Sequence, residues 1–198
     1  MKVLLHICCA PCTVYPLRTL RAEGADVTGF FHNPNIHPYT EFKKRQEALA
    51  QYSRVALLPL ITDDAYDIDA FLRAALAAGQ DRCLACYRMR LTAAFGKAAA
   101  LEADAVTTTL LYSIYQRHEA VAQIAGELSD RYGLPFLYRD FRPGWREGQD
   151  EAVRLGVYRQ AYCGCIFSEY ERFGPNAKGS GKAADKTVDK AAGGSRKR

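Results

Sequence analysis

The order of the hydrophobic segments predicts an α/β fold built on a parallel sheet with helices on both faces. Short apolar runs typical of buried strands alternate with longer segments whose apolar residues recur at helical spacing. Strands that alternate with helices in this way favour a parallel sheet covered on each side. The chain has 198 residues, 48% of them hydrophobic, and can therefore bury one well-packed core.

The first part of the chain contains three strand–helix units. Lys2–His6 is predicted to be a buried strand, and Pro11 marks the start of a helix, because proline suits the first helical position. A second strand is predicted over 27–31, and Thr40 is a candidate cap for the helix that follows. The third strand is predicted over 55–60.

The second part continues the alternation with two helices before the next strand. The predicted helices are Ile68–Ala78 and 83–100, the second rich in alanine. Residues 105–111 return to strand character. The remaining predicted elements are a helix over 119–132 that ends at Gly133, a short strand over 135–138 and a helix over 148–155.

The net charge of +5 lies at the C-terminal end of the chain. Residues 174–198 contain seven basic and two acidic residues, so residues 1–173 are neutral overall. This tail is rich in Gly, Ala, Ser and Lys and cannot bury enough apolar surface to fold. We therefore predict one domain over 1–173 and a disordered basic tail over 174–198. The tail would either attract phosphates weakly or only increase solubility.

The sequence indicates neither a membrane span nor an export signal. Its apolar runs are shorter than the about 18 residues that a membrane helix needs. The N-terminal sequence MKVLLHICC is interrupted by polar residues and cysteines where a signal peptide would be continuously apolar. We therefore expect a cytoplasmic protein without membrane association.

Seven cysteines occur in three tight groups, which indicates a metal site. An odd number would leave one thiol unpaired in an oxidising compartment, so reduced thiolates are favoured. The groups are Cys8-Cys9-x-x-Cys12, Cys83-x-x-Cys86 and Cys163-x-Cys165. The first group follows the first strand, where a nucleotide-binding protein of this architecture would have a glycine-rich phosphate loop. The loop reads CCAPC instead, so we expect no ATP site.

The number and spacing of the cysteines favour two neighbouring metal centres. Four thiolates satisfy a zinc ion or an iron–sulfur cluster, and the three that remain could hold a second metal with one position open. Cys8 and Cys9 leave a strand, so their side chains are predicted to point to opposite sides and to serve different centres. Cys83 and Cys86 are three residues apart at a helix start and would share one helix face.

The third cysteine group could also reach two metals, whereas structural zinc or a redox dithiol would explain fewer of the cysteines. Cys163 and Cys165, if extended, would lie about 6–7 Å apart and reach adjacent metals, and Gly164 would let the backbone come close. Two structural zinc sites would need about eight ligands, and the histidines lack the paired spacing of zinc fingers. A thioredoxin-like dithiol would leave five cysteines without a role.

Longer motifs distributed along residues 3–173 are distinctive in combination. They are LLHICCAPC, FFHNPNIHPYTEFKKR, CLACYRMRL, TTTLLYS with QRHE, FLYRDFRPG and YRQAYCGCIFS. Together they resemble the cobalamin-independent epoxyqueuosine reductases of the QueH family. The resemblance implies a Rossmann-like fold akin to the nucleotide alpha-hydrolases, in which residues 1–173 form a metal-binding reductase domain. It also implies a 4Fe-4S cluster, an adjacent mononuclear iron, and removal of the epoxide oxygen from epoxyqueuosine in tRNA.

On this resemblance we assign four cysteines to the cluster and three to the single metal. The cluster ligands would be Cys9, Cys83, Cys86 and Cys163, and the metal ligands would be Cys8, Cys12 and Cys165. The choice between Cys8 and Cys9, and between Cys163 and Cys165, stays open. Some relatives carry Asp where this chain has Cys12, so the ligand set here would be softer and could change the identity or the potential of that metal.

The implied reaction requires electrons, protons and a Lewis acid. Two electrons and two protons convert an epoxide into an alkene and water, and an open-site iron would act as the Lewis acid. Because a cluster transfers single electrons, an external donor such as ferredoxin or flavodoxin is implied. Asp140 and His118 are the candidate proton donors. Alternatively, Asp140 only pairs with Arg139 or Arg142, and His118 is a hydrogen-bonded structural residue.

Recognition of an anticodon loop would require aromatic rings for stacking and arginines for phosphates. Since residues 1–173 are neutral overall, a local basic patch is expected. Lys43, Lys44 and Arg45 are instead expected on a solvated helix face. The candidate contact residues near strand ends are Tyr112, Tyr115, Arg117, Arg139, Arg142 and Trp145.

Two other functions are compatible with parts of the sequence. A non-catalytic, zinc-containing nucleic-acid-binding protein would be colourless, whereas a cluster absorbs broadly near about 400 nm. An ATP-dependent tRNA sulfur-inserting enzyme would share the architecture, and ATP binding measured by calorimetry would support it. The missing phosphate loop argues against this second alternative.

Overall fold

The computed structural model describes residues 1–175. Its helices and strands are, in chain order, β1 (Lys2–His6), α1 (Ala10–Ala22), β2 (Asp26–Phe31), α2 (Tyr39–Val55), β3 (Leu60–Thr62), α3 (Ile68–Ala78), α4 (Arg82–Ala100), β4 (Ala105–Thr108), α5 (His118–Tyr132), α6 (Trp145–Arg154) and α7 (Ile166–Phe173). The tail predicted to be disordered lies almost entirely outside these described residues.

Within this part of the chain, the strands form one parallel sheet in the order β3-β2-β1-β4. Leu4 in the central strand pairs with Thr28 of β2 on one side and with Val106 of β4 on the other. A central strand of a parallel sheet is covered on both faces, and Leu4 and Leu5 are accordingly 0% exposed. The prediction of an α/β fold with a parallel sheet is confirmed.

The helices form two groups, one on each face of the sheet. α1 contacts β2, α2 and α6, whereas α4 contacts β1, β4, α3 and α5. Right-handed crossovers explain this division, because the chain runs from β1 outward to β3 and then returns to the opposite side of β1. None of the described helices is both long and apolar enough to cross a membrane.

The third strand is shorter than predicted and begins later. Val55 is the last residue of α2, and β3 covers only Leu60–Thr62. The apolar run that predicted a strand is largely exposed, with Val55 at 74% and Leu57 at 83%. Leu57 has a positive φ of 50°, which produces a turn where the prediction had a strand.

The segments at the β4 edge also differ from the predicted strands. β4 ends at Thr108, whose hydroxyl accepts a hydrogen bond from Leu110 N over 3.1 Å, and Thr109–Leu111 form one turn of 3-10 helix. Residues 135–138 form a single parallel bridge, between Phe136 and Val106. Local hydrogen bonding therefore replaces strand pairing directly beside the carboxyl edge of the sheet.

Helix ends were predicted with mixed success. Ile68–Ala78 has the predicted bounds, and Gly133 ends α5 in the left-handed conformation at φ 60°. Thr40 does not cap α2, because the helix already begins at Tyr39 after Pro38. The short helix α7 was not predicted, since Ile166, Tyr170 and other apolar residues of this segment are exposed and give no core-facing stripe.

Candidate metal centre and adjoining cavity

The first cysteine group lies at the carboxyl edge of the sheet, between the ends of β1 and β4. Chain order reverses here, because β1 continues through α1 to β2 on one side while β4 pairs on the other. Such a reversal leaves a crevice in which parallel-sheet proteins bind ligands. Two contacts join the strand ends: His6 Nδ1 lies 2.8 Å from Thr108 Oγ1, and Cys8 N donates to Thr109 Oγ1 over 3.0 Å.

Cys8, Cys9 and Cys12 bring three sulfur atoms together. The three sulfurs lie within 4.8 Å of one another, and those of Cys8 and Cys9 are 3.7 Å apart. The prediction that Cys8 and Cys9 point to opposite sides is therefore wrong. β1 ends at His6 and Cys9 is already the N-cap of α1, so strand alternation does not extend to these residues, and Cys12 follows about one helical turn later.

Hydrogen bonding favours the thiolate form of Cys8 over those of Cys9 and Cys12. Contacts from Cys12 and Cys9 lower the pKa of Cys8 well below its ordinary value, and Thr109 Oγ1 donates to Cys8 Sγ over 3.3 Å. Burial raises the pKa of Cys9, and the hydrogen bond with Cys8 raises that of Cys12. The three sulfurs therefore share negative charge, and a metal ion would displace the protons that remain.

The other two groups approach from α4 and from the loop before α7. Cys83 lies in the first turn of α4 and Cys86 at the start of the second, and a separation of three residues puts them on one face. The charge of Cys163 raises the pKa of Cys86, and the charge of Cys8 raises the pKa of Cys163. The charge of Cys165 raises the pKa of Cys83. Such interactions require proximity. All seven cysteines are free thiols, and these charge interactions link the three segments that carry them.

Arg90 lies among the three groups with its charge buried. The residue is 2% exposed, and its Nη2 donates to Asn33 Oδ1 over 2.7 Å. Burial alone would lower the pKa of Arg90, but the sulfurs of Cys86, Cys8 and others nearby raise it. This guanidinium offsets negative charge on the cysteines.

The sequence reasoning missed Arg90, although a signal was present. Arg90 follows Cys86 by four residues on α4, so both lie on the same helix face. A basic residue on the helix face that carries the cysteines indicates a cation next to thiolates.

Arg45 holds the loop that carries Cys163 and Cys165 in place through hydrogen bonds to its backbone. Its Nε donates to Glu41 Oε1 over 2.7 Å, and its Nη1 and Nη2 donate to the carbonyl oxygens of Cys163 and Tyr162 over 2.8 and 3.1 Å. Arg45 is 2% exposed, so the prediction of a solvated helix face is wrong for this residue. The Glu41–Arg45 pair, four residues apart, was the available signal.

Gly164 makes the close approach of this loop possible. Its φ is +143°, and a Cβ at this position would lie 3.2 Å from Arg45 Nη1 and from Asn35 Nδ2. Both the backbone conformation and the space exclude a side chain. The predicted close backbone approach at Gly164 is confirmed.

A cavity of about 550 Å³ opens beside the cysteines. This size lies within the range of small-molecule sites. Its lining combines cysteines, arginines, aromatic rings and amides from several chain segments. The lining includes Cys8, Cys12, Cys163, Arg45, Arg90, Arg159, Arg172, Tyr115, Trp145, Gln116, Gln149 and Gln160.

Two glutamine amides in this lining donate hydrogen bonds to cysteine sulfurs. Gln160 Nε2 lies 2.9 Å from Cys9 Sγ, and Gln116 Nε2 lies 3.4 Å from Cys163 Sγ. Such N–H donors stabilise the thiolate form and adjust the potential of sulfur-ligated metals. The sequence offered no signal for either glutamine, because each meets its sulfur only through the tertiary fold.

The two predicted proton donors lie outside the cavity lining. Asp140 accepts hydrogen bonds from Arg142 Nε and Nη2 over 2.9 and 2.7 Å, and this contact lowers the pKa of Asp140 to about 2. His118 is buried, with Nε2 3.0 Å from Tyr138 Oη. The structure thus shows the ion-pair alternative for Asp140, and the catalytic roles of both residues stay predictions.

The candidate RNA contacts divide into two sets. Tyr115 and Trp145 line the cavity. Tyr112 is 0% exposed, and its hydroxyl donates to Trp145 O over 2.7 Å, so it supports the site from behind. The second set consists of arginines that form ion pairs with carboxylates outside the cavity lining. These arginines are Arg117, Arg139 and Arg142.

Comparison with known proteins gives one consistent family. The family model described as Epoxyqueuosine reductase QueH matches residues 3–171. A protein of that name from Dehalococcoides mccartyi is 36% identical over 177 residues, which cover 89% of this chain and 97% of the relative. Proteins of the same name from Thermotoga maritima and Streptococcus pyogenes are 33% and 28% identical; the matches cover 86% and 84% of this chain and 91% and 70% of the relatives.

Proposed function

Because this chain belongs to the epoxyqueuosine reductase QueH family, we propose that it removes the epoxide oxygen of epoxyqueuosine in tRNA at the cavity beside its cysteines. The chain is then an oxidoreductase of tRNA queuosine biosynthesis. One observation carries this proposal: the sulfurs of Cys8, Cys9 and Cys12 group at the sheet edge, and a cavity of about 550 Å³ lined by Cys8, Cys12 and Cys163 opens there. We place the reaction in the cytoplasm, where tRNA and reduced thiols coexist.

The donor set fits a 4Fe-4S cluster with an adjacent iron. Thiolate sulfur is the ligand that iron–sulfur clusters use, and seven free sulfurs suffice for both centres. The buried charge of Arg90 would offset the anionic ligands. When bound, a cluster supplies single electrons and an open-site iron supplies a Lewis acid.

The structure suggests a further division of the cysteines between these centres, which differs from the one assigned from sequence by one exchange. The division assigned from sequence gives Cys9 to the cluster and Cys165 to the single metal. The grouping of Cys8, Cys9 and Cys12 within 4.8 Å supports the opposite choice, in which these three hold the single metal. Cys165 would then join Cys83 and its neighbours around the cluster, consistent with its charge interaction with Cys83.

The residues of the chain would orient and isolate the reacting groups. Gln160 and Gln116 hold the sulfurs of Cys9 and Cys163 through hydrogen bonds, and Arg45 fixes the loop of Cys163. Cys83 is exposed, so an external one-electron donor such as ferredoxin or flavodoxin would reach the centre at this side. Two electrons and two protons balance the conversion of the epoxide into an alkene and water.

An anaerobic assay tests this proposal. Protein reconstituted with iron and sulfide is incubated with epoxyqueuosine-containing tRNA and a chemical reductant, and the nucleosides are analysed by mass spectrometry. We expect loss of one oxygen atom from the modified nucleoside and broad absorption near about 400 nm in the protein. Persistence of the epoxide with cluster-loaded protein would contradict the proposal, and colourless protein with stoichiometric zinc would favour a structural metal instead.

A further inference from the structure

Tyr115 presents an aromatic ring to solvent at the cavity beside the cysteines. The residue is 76% exposed although it lines the cavity. Its ring centroid lies 6.2 Å from that of Trp145, with the ring planes at 81°. Ile114, its neighbour in sequence, is 48% exposed. Tyr115, Ile114 and Trp145 together form an aromatic and apolar surface at the rim of the cavity, where a partner molecule could bind.

The backbone on both sides of Tyr115 is held in place. Tyr115 N donates to Ser113 Oγ over 3.3 Å. On the other side, Arg117 N donates to Tyr87 Oη over 3.2 Å, and Tyr87 Oη donates to Gln116 Oε1 over 3.0 Å. The ring is therefore presented by an ordered loop, which lowers the entropy cost of binding a partner.

Trp145 is held by an equally specific contact. Its carbonyl oxygen accepts the hydrogen bond from the buried Tyr112 at the start of α6. Two rings from separate segments, 115 and 145, thus meet at the same cavity with their positions fixed by buried tyrosines. Because the two rings are nearly perpendicular, a flat ligand can stack on one of them while the other supports it from the side.

Two arginines of the same cavity have no carboxylate partner among residues 1–175. Arg159 and Arg172 line it, and neither forms an ion pair among the described residues. The one carboxylate of the lining, Glu171, pairs with Arg82. A neutral domain therefore has a local basic site here, as binding of an anionic strand requires.

We propose that Tyr115 and Trp145 form a base-stacking site for single-stranded RNA, and that Arg159 and Arg172 contact the phosphates of the stacked strand. The inference rests on the proposed function, because it assigns the cavity interior to the modified nucleoside and the exposed Tyr115 ring to the neighbouring base. Single-stranded RNA is bound in this manner, by bases stacked on aromatic rings and by arginines on the backbone.

Binding of an unmodified RNA tests the stacking site without requiring the reaction. The probe is an anticodon stem-loop that lacks epoxyqueuosine, titrated into the full-length, metal-loaded protein. Trp145 is the one tryptophan of the chain, so quenching of its fluorescence reports contact at the site. Affinity is measured independently by anisotropy of labelled RNA.

Substitutions of Tyr115 separate stacking from hydrogen bonding. Tyr115→Ala should weaken binding of the stem-loop by about 5- to 150-fold, the range expected for loss of one stacked base. Tyr115→Phe keeps the ring and should bind within about twofold of the unchanged protein. Tyr39→Ala, at an exposed tyrosine outside the cavity lining, should leave affinity unchanged. Metal content and thermal unfolding of each variant verify that the fold is intact.

Two further comparisons complete the test. Arg159→Gln and Arg172→Gln should each reduce the slope of log affinity against log salt by about 0.7, the value for one phosphate contact on a single strand. The affinity for an RNA duplex without a loop should be the same in Tyr115→Ala as in the unchanged protein. Unchanged affinity of Tyr115→Ala, or an equal loss in Tyr115→Phe, would overturn the stacking site. Failure of the reduction assay alone would instead contradict the proposed function, because these binding measurements do not involve it.

Discussion

Two buried arginines organise the charges around the cysteines. Arg45 and Arg90 are both 2% exposed, and a buried cation is strongly unfavourable without a partner. Arg45 pairs with Glu41, whereas no carboxylate within residues 1–175 pairs with Arg90. The counter-charge of Arg90 is therefore the group of cysteine sulfurs around it. Removing this arginine should affect a bound cluster more than it affects the fold.

Replacement of Arg90 should make the cluster harder to reduce. In Arg90→Met we expect a reduction potential on the order of 50–100 mV more negative, because a nearby unit charge contributes about 1–3 kcal/mol at an effective dielectric constant near 20. The measurement is a redox titration followed by the absorbance of the cluster. Arg88→Met is the matched control, since Arg88 lies on the same helix but is exposed and paired with Glu127. Equal potentials in the two variants would exclude this role.

Serine variants of Cys9 and Cys165 distinguish the two divisions of ligands. If the grouping within 4.8 Å holds one metal, Cys9→Ser should keep the cluster absorbance and lose about one iron per chain, because serine is a poorer ligand for a soft site. Cys165→Ser should then lose the cluster. Iron analysis together with Mössbauer spectra measures both. The reverse pattern would favour the division assigned from sequence.

The ion pair of Asp140 predicts a modest, pH-dependent contribution to stability. The pKa of about 2 is below the about 3.9 of an unfolded Asp, so the pair stabilises the fold above about pH 4 and this contribution is lost as the pH falls toward 2. Asp140→Asn should lower the free energy of unfolding by at most about 1 kcal/mol at neutral pH, because the pair is partly exposed.

The same variant tests the predicted catalytic role. A carboxylate with this pKa is ionised at neutral pH and has no proton to donate. We therefore expect Asp140→Asn to retain reductase activity within about threefold, well short of the about 100-fold loss typical of a missing general acid. A loss of that size, with unchanged stability and metal content, would restore Asp140 as the proton donor.

At the scale of elements, α6 packs against α1 through two glycines. A Cβ at Gly144 would overlap the ring of Tyr15, and a Cβ at Gly148 would overlap the hydroxyl of Tyr112. Tyr112 in turn holds the carbonyl oxygen of Trp145. The close contact of α6 with α1 therefore positions one ring of the cavity, and it depends on the absence of two side chains.

Alanine at Gly148 should destabilise the protein, whereas alanine at another helical glycine should not. Gly148→Ala would force overpacking, which costs about 1–3 kcal/mol, and should also alter Trp145 fluorescence. Gly126→Ala in α5 is the matched control, because nothing lies within 4 Å of its added Cβ and alanine favours helices by about 0.5–1 kcal/mol. Chemical unfolding measures both. Equal stabilities would show that α6 can shift away from α1.

At the scale of the whole molecule, a metal centre would join segments that are far apart in the chain. The cysteine segments 8–12, 83–86 and 163–165 are linked by charge interactions between Cys8, Cys163 and Cys86. A ligand that binds only the folded state stabilises it by mass action. Metal and fold should consequently stabilise each other.

Removal of the metal should lower thermal stability. At free metal concentrations of about 100 times Kd, binding contributes about 2.7 kcal/mol, which corresponds to roughly 5–10 °C in Tm for a domain of this size. Anaerobic calorimetry with and without a chelator measures the difference. In Cys83→Ser the Tm difference between loaded and stripped protein should be smaller, because Cys83 would no longer join its segment to the metal centre. An equal Tm for loaded and stripped protein would contradict this coupling.

The alternation of strands and helices, and the grouping of the cysteines that makes them candidate metal ligands, could be read from the sequence alone. β1, α3 and α4 follow the predicted bounds within one residue, because short-range periodicity and helix propensity act locally. The three cysteine groups are likewise visible in the chain without any knowledge of the fold.

Which of these groups are neighbours, and which charges are buried, depends instead on the tertiary structure. Arg45 meets the carbonyl oxygen of Cys163 across 118 positions of sequence, and Gln160 meets Cys9 across 151. Conversely, the apolar Leu57 is exposed at a turn. Local pattern cannot determine such features, because the burial of a side chain depends on segments that the chain brings together only when it folds.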